Sequence, residues 1–271
     1  ALSRDQASRG HDVTVVALSD RVEEPSVRRT DGYEILLYPR STFLLGTGVS
    51  IKAFREVVSK TPFDVVHAHA HFYPLSNITA MKKKLRQFPL VITNHSLISQ
   101  SVPEWIARIH LSTVGRFTYN AADTVLTYTE SEKSELKNIG VSSDIKVVSN
   151  GVDTSRFHPE GRKFDPLASD KTSFVFVGRL VEGKRPVDAV KAYAKVHDRL
   201  DETELHILGE GEQEELLEHT AASLGVSDST HLHGHVDYDL MPRVYRTADV
   251  TVLPSRSEGF PRTLLESLAA G

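Results

Sequence analysis

Residues 249–271 read DVTVLPSRSEGFPRTLLESLAAG, and the order of residue types in this stretch decides the fold. Val250 to Leu253 is a short apolar run that predicts a buried strand. A loop with Glu258 and Gly259 follows. Pro261 then opens a helix, where its missing N–H is harmless because first-turn amides lack an intrahelical partner anyway. The free amides and the dipole of that helix point back at the loop, which favours a diphosphate or the polar groups of a sugar. Glu266 lies about one and a half turns into the helix. It and Glu258 can therefore face one cleft at different depths, one gripping a sugar hydroxyl and the other a ribose through charge-assisted hydrogen bonds. Local chemistry alone leaves a second reading open, a solvated loop glutamate and a surface helix glutamate.

The same alternation extends outward. The second half predicts strands at Ser173 to Val177, Glu204 to Leu208 and Thr230 to His233, and helices at Pro186 to Leu200, Gln213 to Leu224 and Tyr238 to Thr247. The first half predicts strands at Val13 to Leu18, Tyr33 to Tyr38, Asp64 to His69, Pro89 to Thr93, Thr124 to Thr127 and Ile145 to Val148. Its helices are expected at Val49 to Ser59, Leu75 to Arg86, Pro103 to Ala121 and Ser131 to Ile139. Short buried strands alternating with helices make this an α/β chain of doubly wound parallel sheets.

NGVDTSRFHPEGRKFDPLASDK, from Asn150 to Lys171, interrupts the alternation with prolines, glycines and polar side chains. The expected organisation is a Rossmann-like domain over residues 1–150, a linker over 151–171 and a second Rossmann-like domain over 172–271. Leu2 to Arg9 reads as a helix capped by Gly10, and such a helix normally follows a strand. No strand follows the last helix, so both ends are expected to be cut.

Composition narrows the function classes. In 271 residues, 36 acidic side chains against 32 basic ones leave no basic groove for nucleic acid, and the only basic block is Lys82 to Lys84 with Arg86. That run presents a solvated helix face or a contact for anionic lipid headgroups. The absence of cysteine excludes disulfides and thiolate catalysis and fits a reducing compartment. No apolar run reaches the ~20 residues of a membrane span, so the expected location is cytoplasmic, including the inner face of the membrane.

A second constellation is FVFVGRLVEGKRP. The strand ends at Gly178, and Arg179 and Lys184 stand five residues apart on the turn into the next helix. Cations at the carboxyl end of a parallel strand suit a phosphate-bearing ligand, and they oppose the helix dipole unless an anion is present.

Taken together, GRLVEGK, LGEGEQ at Leu208 to Gln213, NGVD at Asn150 and SEGFPRTLLESLAAG resemble the retaining glycosyltransferases of family 4. The resemblance implies the GT-B fold, two Rossmann-like domains facing a central cleft, and transfer of a sugar from a nucleotide-sugar donor to an acceptor hydroxyl with retention. It further implies that the first domain takes the acceptor and the second the donor, a UDP- or GDP-sugar, with no metal required. Arg179 and Lys184 match the basic pair on the diphosphate, with Gly178 allowing close approach. Glu258 matches the glutamate on the donor sugar, Gly259, Phe260 and Pro261 the backbone near the phosphate, and Glu266 the glutamate on the ribose. Gly209 and Glu210 belong to the loop near the nucleobase. In PLVITNHS, His95 matches a histidine close to the donor sugar, and Thr93 shapes the turn. Arg185 and Pro186 depart from the pattern where a glycine commonly follows the lysine, and Arg262 is bulky beside the phosphate loop. The family's Gly-rich loop after its first strand has no counterpart here.

Thirteen histidines support a competing reading. On a strand, His67, His69 and His71 of DVVHAHAHF would share one face, and His231, His233 and His235 repeat the spacing, as in a metal hydrolase. Against this, no further His and Asp fall at the successive strand ends such an enzyme needs. A nucleotide-sugar-binding module without turnover is the third reading. His110, His158, His197 and His219 read as surface or helix-face residues.

Overall fold

The computed structural model describes residues 2–44, 47–50, 52–53, 63–85, 88–98, 102–256 and 258–271. Contacts divide the chain into two units, Ala1–Ser149 and Asn150–Gly271.

In the first unit, a sheet of order β1-β3-β2 is formed by β1 (Thr14–Ser19), β2 (Ser26–Thr30) and β3 (Tyr33–Pro39). The helix α1 (Leu2–Ser8) precedes it. β1 and β3 run parallel, whereas β2 returns antiparallel through a two-residue turn, with Asp31 at φ 47° and Gly32 at φ 79°. Those left-handed residues match the twist of a hairpin, which is why Asp-Gly is favoured there. A small hairpin of β4 (Thr42–Leu44) and β5 (Thr47–Val49) follows. A second, fully parallel sheet has the order β6-β7-β8-β9, from β6 (Val66–His69), β7 (Leu90–Thr93), β8 (Thr124–Thr127) and β9 (Asp144–Val147). Its helices are α2 (Pro74–Leu85), α3 (Glu104–His110), α4 (Arg116–Asn120), joined to α3 by a π turn at Leu111–Gly115, and α5 (Glu130–Asn138). Leu90, Ile92, Val125 and Ile145 point from this sheet onto Leu111, Tyr119 and Leu136 to form the core. The helix expected at Val49 to Ser59 falls mostly outside the described residues, as does Arg86.

The second unit is one parallel sheet, β10 (Thr172–Val177), β11 (Thr203–Leu208), β12 (Thr230–Gly234) and β13 (Val250–Thr251), in the order β12-β11-β10-β13. Strand alternation sends Phe176, Leu205 and Ile207 to one face, under α6 (Pro186–His197) and α7 (Glu214–Ser223). Val175 and Leu208 go to the other, under α8 (Met241–Thr247) and α9 (Arg262–Ala270). The stretch expected as a linker is a structural part of this unit: Phe157 and Leu167, 1% and 2% exposed, join Val175 and Tyr245 in the second core layer. Its lack of regular secondary structure comes from its prolines and glycines, while its apolar residues still find a core.

Among the described residues of the second unit, one non-glycine residue sits on left-handed backbone. Arg185 caps α6 at φ 54°, in the left-handed region, which costs an L-residue ~1–2 kcal/mol. Arg185→Gly removes that strain but adds unfolded-chain entropy and loses the exposed Arg185–Asp188 ion pair, worth little. The expected result in urea unfolding is a net gain of about 0.5 kcal/mol; a loss of that size would show that the Arg185 side chain holds the turn.

Candidate active site

In the second unit, β11 leaves β10 on one side and β13 returns to its other side, so the strand order reverses between β10 and β13. At such a switch point the loops after the two strands diverge and open a crevice at the carboxyl ends. Three loops meet there. The loop after β10 bonds to the loop after β11 through Leu180 N–H to Glu210 O (2.9 Å) and Gln213 N–H to Leu180 O (3.0 Å). A Cβ on Gly209, itself at φ 138°, would fall 1.9 Å from the carbonyl oxygen of Gly178, so only glycine permits this approach. The loop after β13 joins through Arg256 N–H to Gly183 O at 3.1 Å.

The side chains expected to carry chemistry fall on these loops. Lys184 Nζ donates to Glu258 Oε1 at 2.5 Å, with both side chains about one-fifth exposed (22% and 23%). Arg179 is exposed, and among the described residues nothing pairs with its guanidinium. Glu210 is exposed on the neighbouring loop. Among the described residues, the buried Ser255 Oγ and Gln213 Oε1 lack a hydrogen-bond partner, although buried polar atoms normally have one.

Gly259, Phe260 and Pro261 lead into α9, whose N-cap residue Pro261 supplies no side-chain cap, so the first amides of that helix remain open. Asn150 Nδ2 donates to Phe260 O at 2.7 Å and ties this loop to the start of the unit. Sequence reading gives Asn150 only as part of a motif, because a partner 110 positions away leaves no local signal. Glu266 is apart from the Lys184–Glu258 pair in its contacts. It is 6% exposed and accepts from Tyr238 Oη (2.7 Å) and Arg262 Nη2 (3.2 Å) on the same oxygen, Oε1.

His95 belongs to the first unit, just after β7. Both ring nitrogens are engaged, Nδ1 with Tyr128 Oη at 2.7 Å and Nε2 with His69 Nδ1 at 2.9 Å. Thr93 does more than shape a turn: its Oγ1 lies 2.7 Å from His67 Nε2. His67, His69 and His95 form a stack with centroid separations of 4.5 and 5.1 Å. Burial, then the neighbouring His69 and His95, push His67 down to about 4; burial and His69 also lower His95.

The shared face expected for His67, His69 and His71 does not form. β6 ends at His69, and Ala70 at φ 57° turns the chain so that His71 is fully buried with Nδ1 2.8 Å from Tyr119 Oη. Tyr119 donates to Asn94 Oδ1 (2.7 Å), and Asn94 Nδ2 to Glu132 Oε1 (3.1 Å). In the second unit, His206 and His233 share a hydrogen bond at 3.0 Å, and His231 stacks on His206 at 5.0 Å. Among the described residues, no group of three or more His, Asp or Glu is arranged to hold a metal ion.

Residues 1–156 match the family model described as Glycosyltransferase Family 4, and residues 158–271 match that of Glycosyl transferases group 1. The chain belongs to glycosyltransferase family 4. This family 4 glycosyltransferase is 26% identical over 301 residues to a glycogen synthase of Mycobacterium tuberculosis, covering 100% of this chain and 70% of that protein. It is 32% identical over 233 residues to a D-inositol 3-phosphate glycosyltransferase of Acidothermus cellulolyticus, covering 77% of this chain and 51% of the relative. Among solved structures, sucrose-phosphate synthase from Thermosynechococcus elongatus superposes with a TM-score of 0.80 at 17% identity, covering 100% of this chain and 72% of that one. Anabaena Alr3699/HepE in complex with UDP and glucose gives 0.69 at 15%, covering 87% and 65%. The fold class is GT-B, and the protein is a nucleotide-sugar-dependent glycosyltransferase rather than a metal hydrolase.

Proposed function

We propose that this glycosyltransferase moves a hexosyl group from a UDP- or GDP-sugar to an acceptor hydroxyl with retention at the anomeric carbon, and that the loops of the second unit hold the donor. The observation that carries this reading is the Lys184–Glu258 pair at the strand-order switch, beside the exposed Arg179. Arg179 forks onto diphosphate oxygens and Lys184 supplies a compact charge to the same group. Glu258, held by Lys184, accepts a hydroxyl of the donor sugar. Gly259 and Phe260 bring backbone amides to the phosphate and Pro261 leads into the open first turn of α9, Glu266 takes the ribose, and Gly209 with Glu210 borders the base.

The bond from the anomeric carbon to the phosphate oxygen breaks, and the acceptor oxygen forms its bond on the same face. The acceptor proton passes to the departing phosphate oxygen, whose growing charge Arg179 and Lys184 stabilise. These cations and the open amides of α9 supply the electrostatics without a metal. His95, kept neutral, contributes a polar edge near the donor sugar once it exchanges one of its present partners.

The acceptor is a sugar, a lipid-linked or another hydroxyl, and the basic run reads better as a helix face serving its own unit than as a contact for anionic lipid headgroups. Lys83 is bonded to Asp123 (2.8 Å) and Phe88 O, and Lys84 lies 4.8 Å from the Phe117 ring, so much of the basic run serves its own unit. Among the described residues, no helix is long and apolar enough to cross a membrane. The test is incubation with UDP- and GDP-hexoses and a sugar acceptor in the presence of a chelator, with product configuration read by proton NMR. Retained configuration and full activity support the reading; an inverted product, or activity strictly dependent on an added metal, overturns it.

A further inference from the structure

Glu266 is the most deeply buried carboxylate of the second unit's candidate site, 6% exposed on the second turn of α9. A buried carboxylate is tolerated when donors fix it, and here the donors form a directed chain. Arg262 Nη2 donates to Tyr238 Oη at 2.7 Å, so the phenol's single proton is committed to Glu266 Oε1, also at 2.7 Å. Arg262 reaches the same Oε1 directly at 3.2 Å. The Tyr238 ring is fixed in turn: the Arg156 guanidinium lies 4.5 Å from its centroid, and Arg156 is anchored by Asp239 Oδ1 and Tyr238 O at 2.7 Å each. Among the described residues, no donor reaches Oε2. One oxygen is clamped and the other is presented, the arrangement a carboxylate needs to accept from two neighbouring hydroxyls. Burial and the hydrogen bond to Glu266 raise the Tyr238 phenol, which keeps it a donor at neutral pH.

We infer that Tyr238 and Arg262 are positioning residues that orient Glu266 to read the vicinal 2′- and 3′-hydroxyls of the donor's ribose. The inference rests on the assignment of Glu266 to the ribose in the proposed function and adds how ribose is told from deoxyribose. It also gives Arg262, bulky beside the phosphate loop, a task away from the phosphate.

The test is calorimetric titration of the full chain with UDP, GDP and ADP, each against its 2′-deoxy counterpart. Glu266→Gln, Tyr238→Phe and Arg262→Ala are titrated alongside, with melting temperatures as a check on folding. A lost hydrogen bond to a charged group corresponds to at least ~10-fold in affinity, so the wild-type chain is expected to prefer the ribonucleotide by that factor. Tyr238→Phe and Arg262→Ala are expected to shrink the preference to about 3-fold or less, by weakening the ribonucleotide, which uses both hydroxyls, more than the deoxynucleotide, which keeps only the 3′-hydroxyl contact. A purely structural role weakens both alike and leaves the ratio intact. If Glu266→Gln abolishes the preference and the other two variants keep it, the positioning role is overturned and the ribose assignment stands. If the wild-type chain shows no preference, or binds no nucleotide, the assignment itself fails. Arg262 is half exposed (53%), so Arg262→Ala carries the test should Tyr238→Phe fail to fold.

Discussion

Lys184→Ala is expected to lower kcat/KM for sugar transfer by about 10²–10³-fold, the loss typical of removing one preorganised group that stabilises charge developing in the transition state. Two effects add. The diphosphate loses a cation as its leaving charge grows, and Glu258 loses the partner that holds its half-buried carboxylate at 2.5 Å. The second effect predicts a particular non-additivity. Glu258→Gln alone removes a sugar contact, and in the Lys184→Ala background it costs much less because the carboxylate is already misplaced. Among the described residues Arg179 has no such protein partner to disturb, and Arg179→Ala is expected to cause a loss of similar order through the diphosphate it shares with Lys184. Steady-state kinetics of the three single variants and the Lys184→Ala/Glu258→Gln double variant check this. Undiminished transfer by Arg179→Ala and Lys184→Ala would remove both residues from the reaction.

Acidification is expected to destabilise the chain steeply between pH 6.5 and 5, through histidines held neutral by burial, of which His71 and His206 are the most fully enclosed. His71 is pushed down to about 3 by burial and then by His110, and His206 to about 4 by burial and then by His231 and His233. Their side chains are 0% and 2% exposed. Above the unfolded value of about 6.5 both states are neutral and pH has no effect. Below it the unfolded chain takes up protons that the folded chain refuses, so stability falls. At pH 5 this amounts to about 2 kcal/mol for each group, His71 in the first unit and His206 in the second. Glu132, raised by burial, acts in the opposite direction, gaining stability as pH falls from its raised folded value to its ordinary one. Urea unfolding at pH 7.5, 6 and 5 measures the slope, and His206→Gln is expected to remove most of it from the second unit. A flat profile would mean that both histidines already carry protons when folded.

Much of the fold is legible in the sequence because parallel strands buried on both faces are short apolar runs bracketed by amphipathic helices. β7, β8, β10 and β11 fall within a residue of the expected positions for this reason. β2 does not stand out, because SVRRT is an exposed antiparallel edge with no apolar face, although Asp31-Gly32 is a hairpin signal that marks it. Within the candidate site, the family resemblance names Arg179, Lys184 and Glu258, and all three lie on the loops that follow β10 and β13. The groups that hold Phe260, Glu266 and His95 are another matter. Asn150 on Phe260, Tyr238 on Glu266 and Tyr128 on His95 pair across 110, 28 and 33 positions, and only the folded chain brings such partners together. His71 shows the reverse error: a period of two implies one face only while the strand continues, and Ala70 ends it.

Thermal melting against a panel of UDP-, GDP- and ADP-sugars tests most directly whether the second unit is a donor site that works through its two cations. A donor present at 100 times its Kd adds about 2.7 kcal/mol to the native state. The expected result is a rise in Tm of several degrees with one nucleotide sugar, absent in the Arg179→Ala/Lys184→Ala variant. A panel in which no donor raises Tm, or a rise that survives in the double variant, would contradict it.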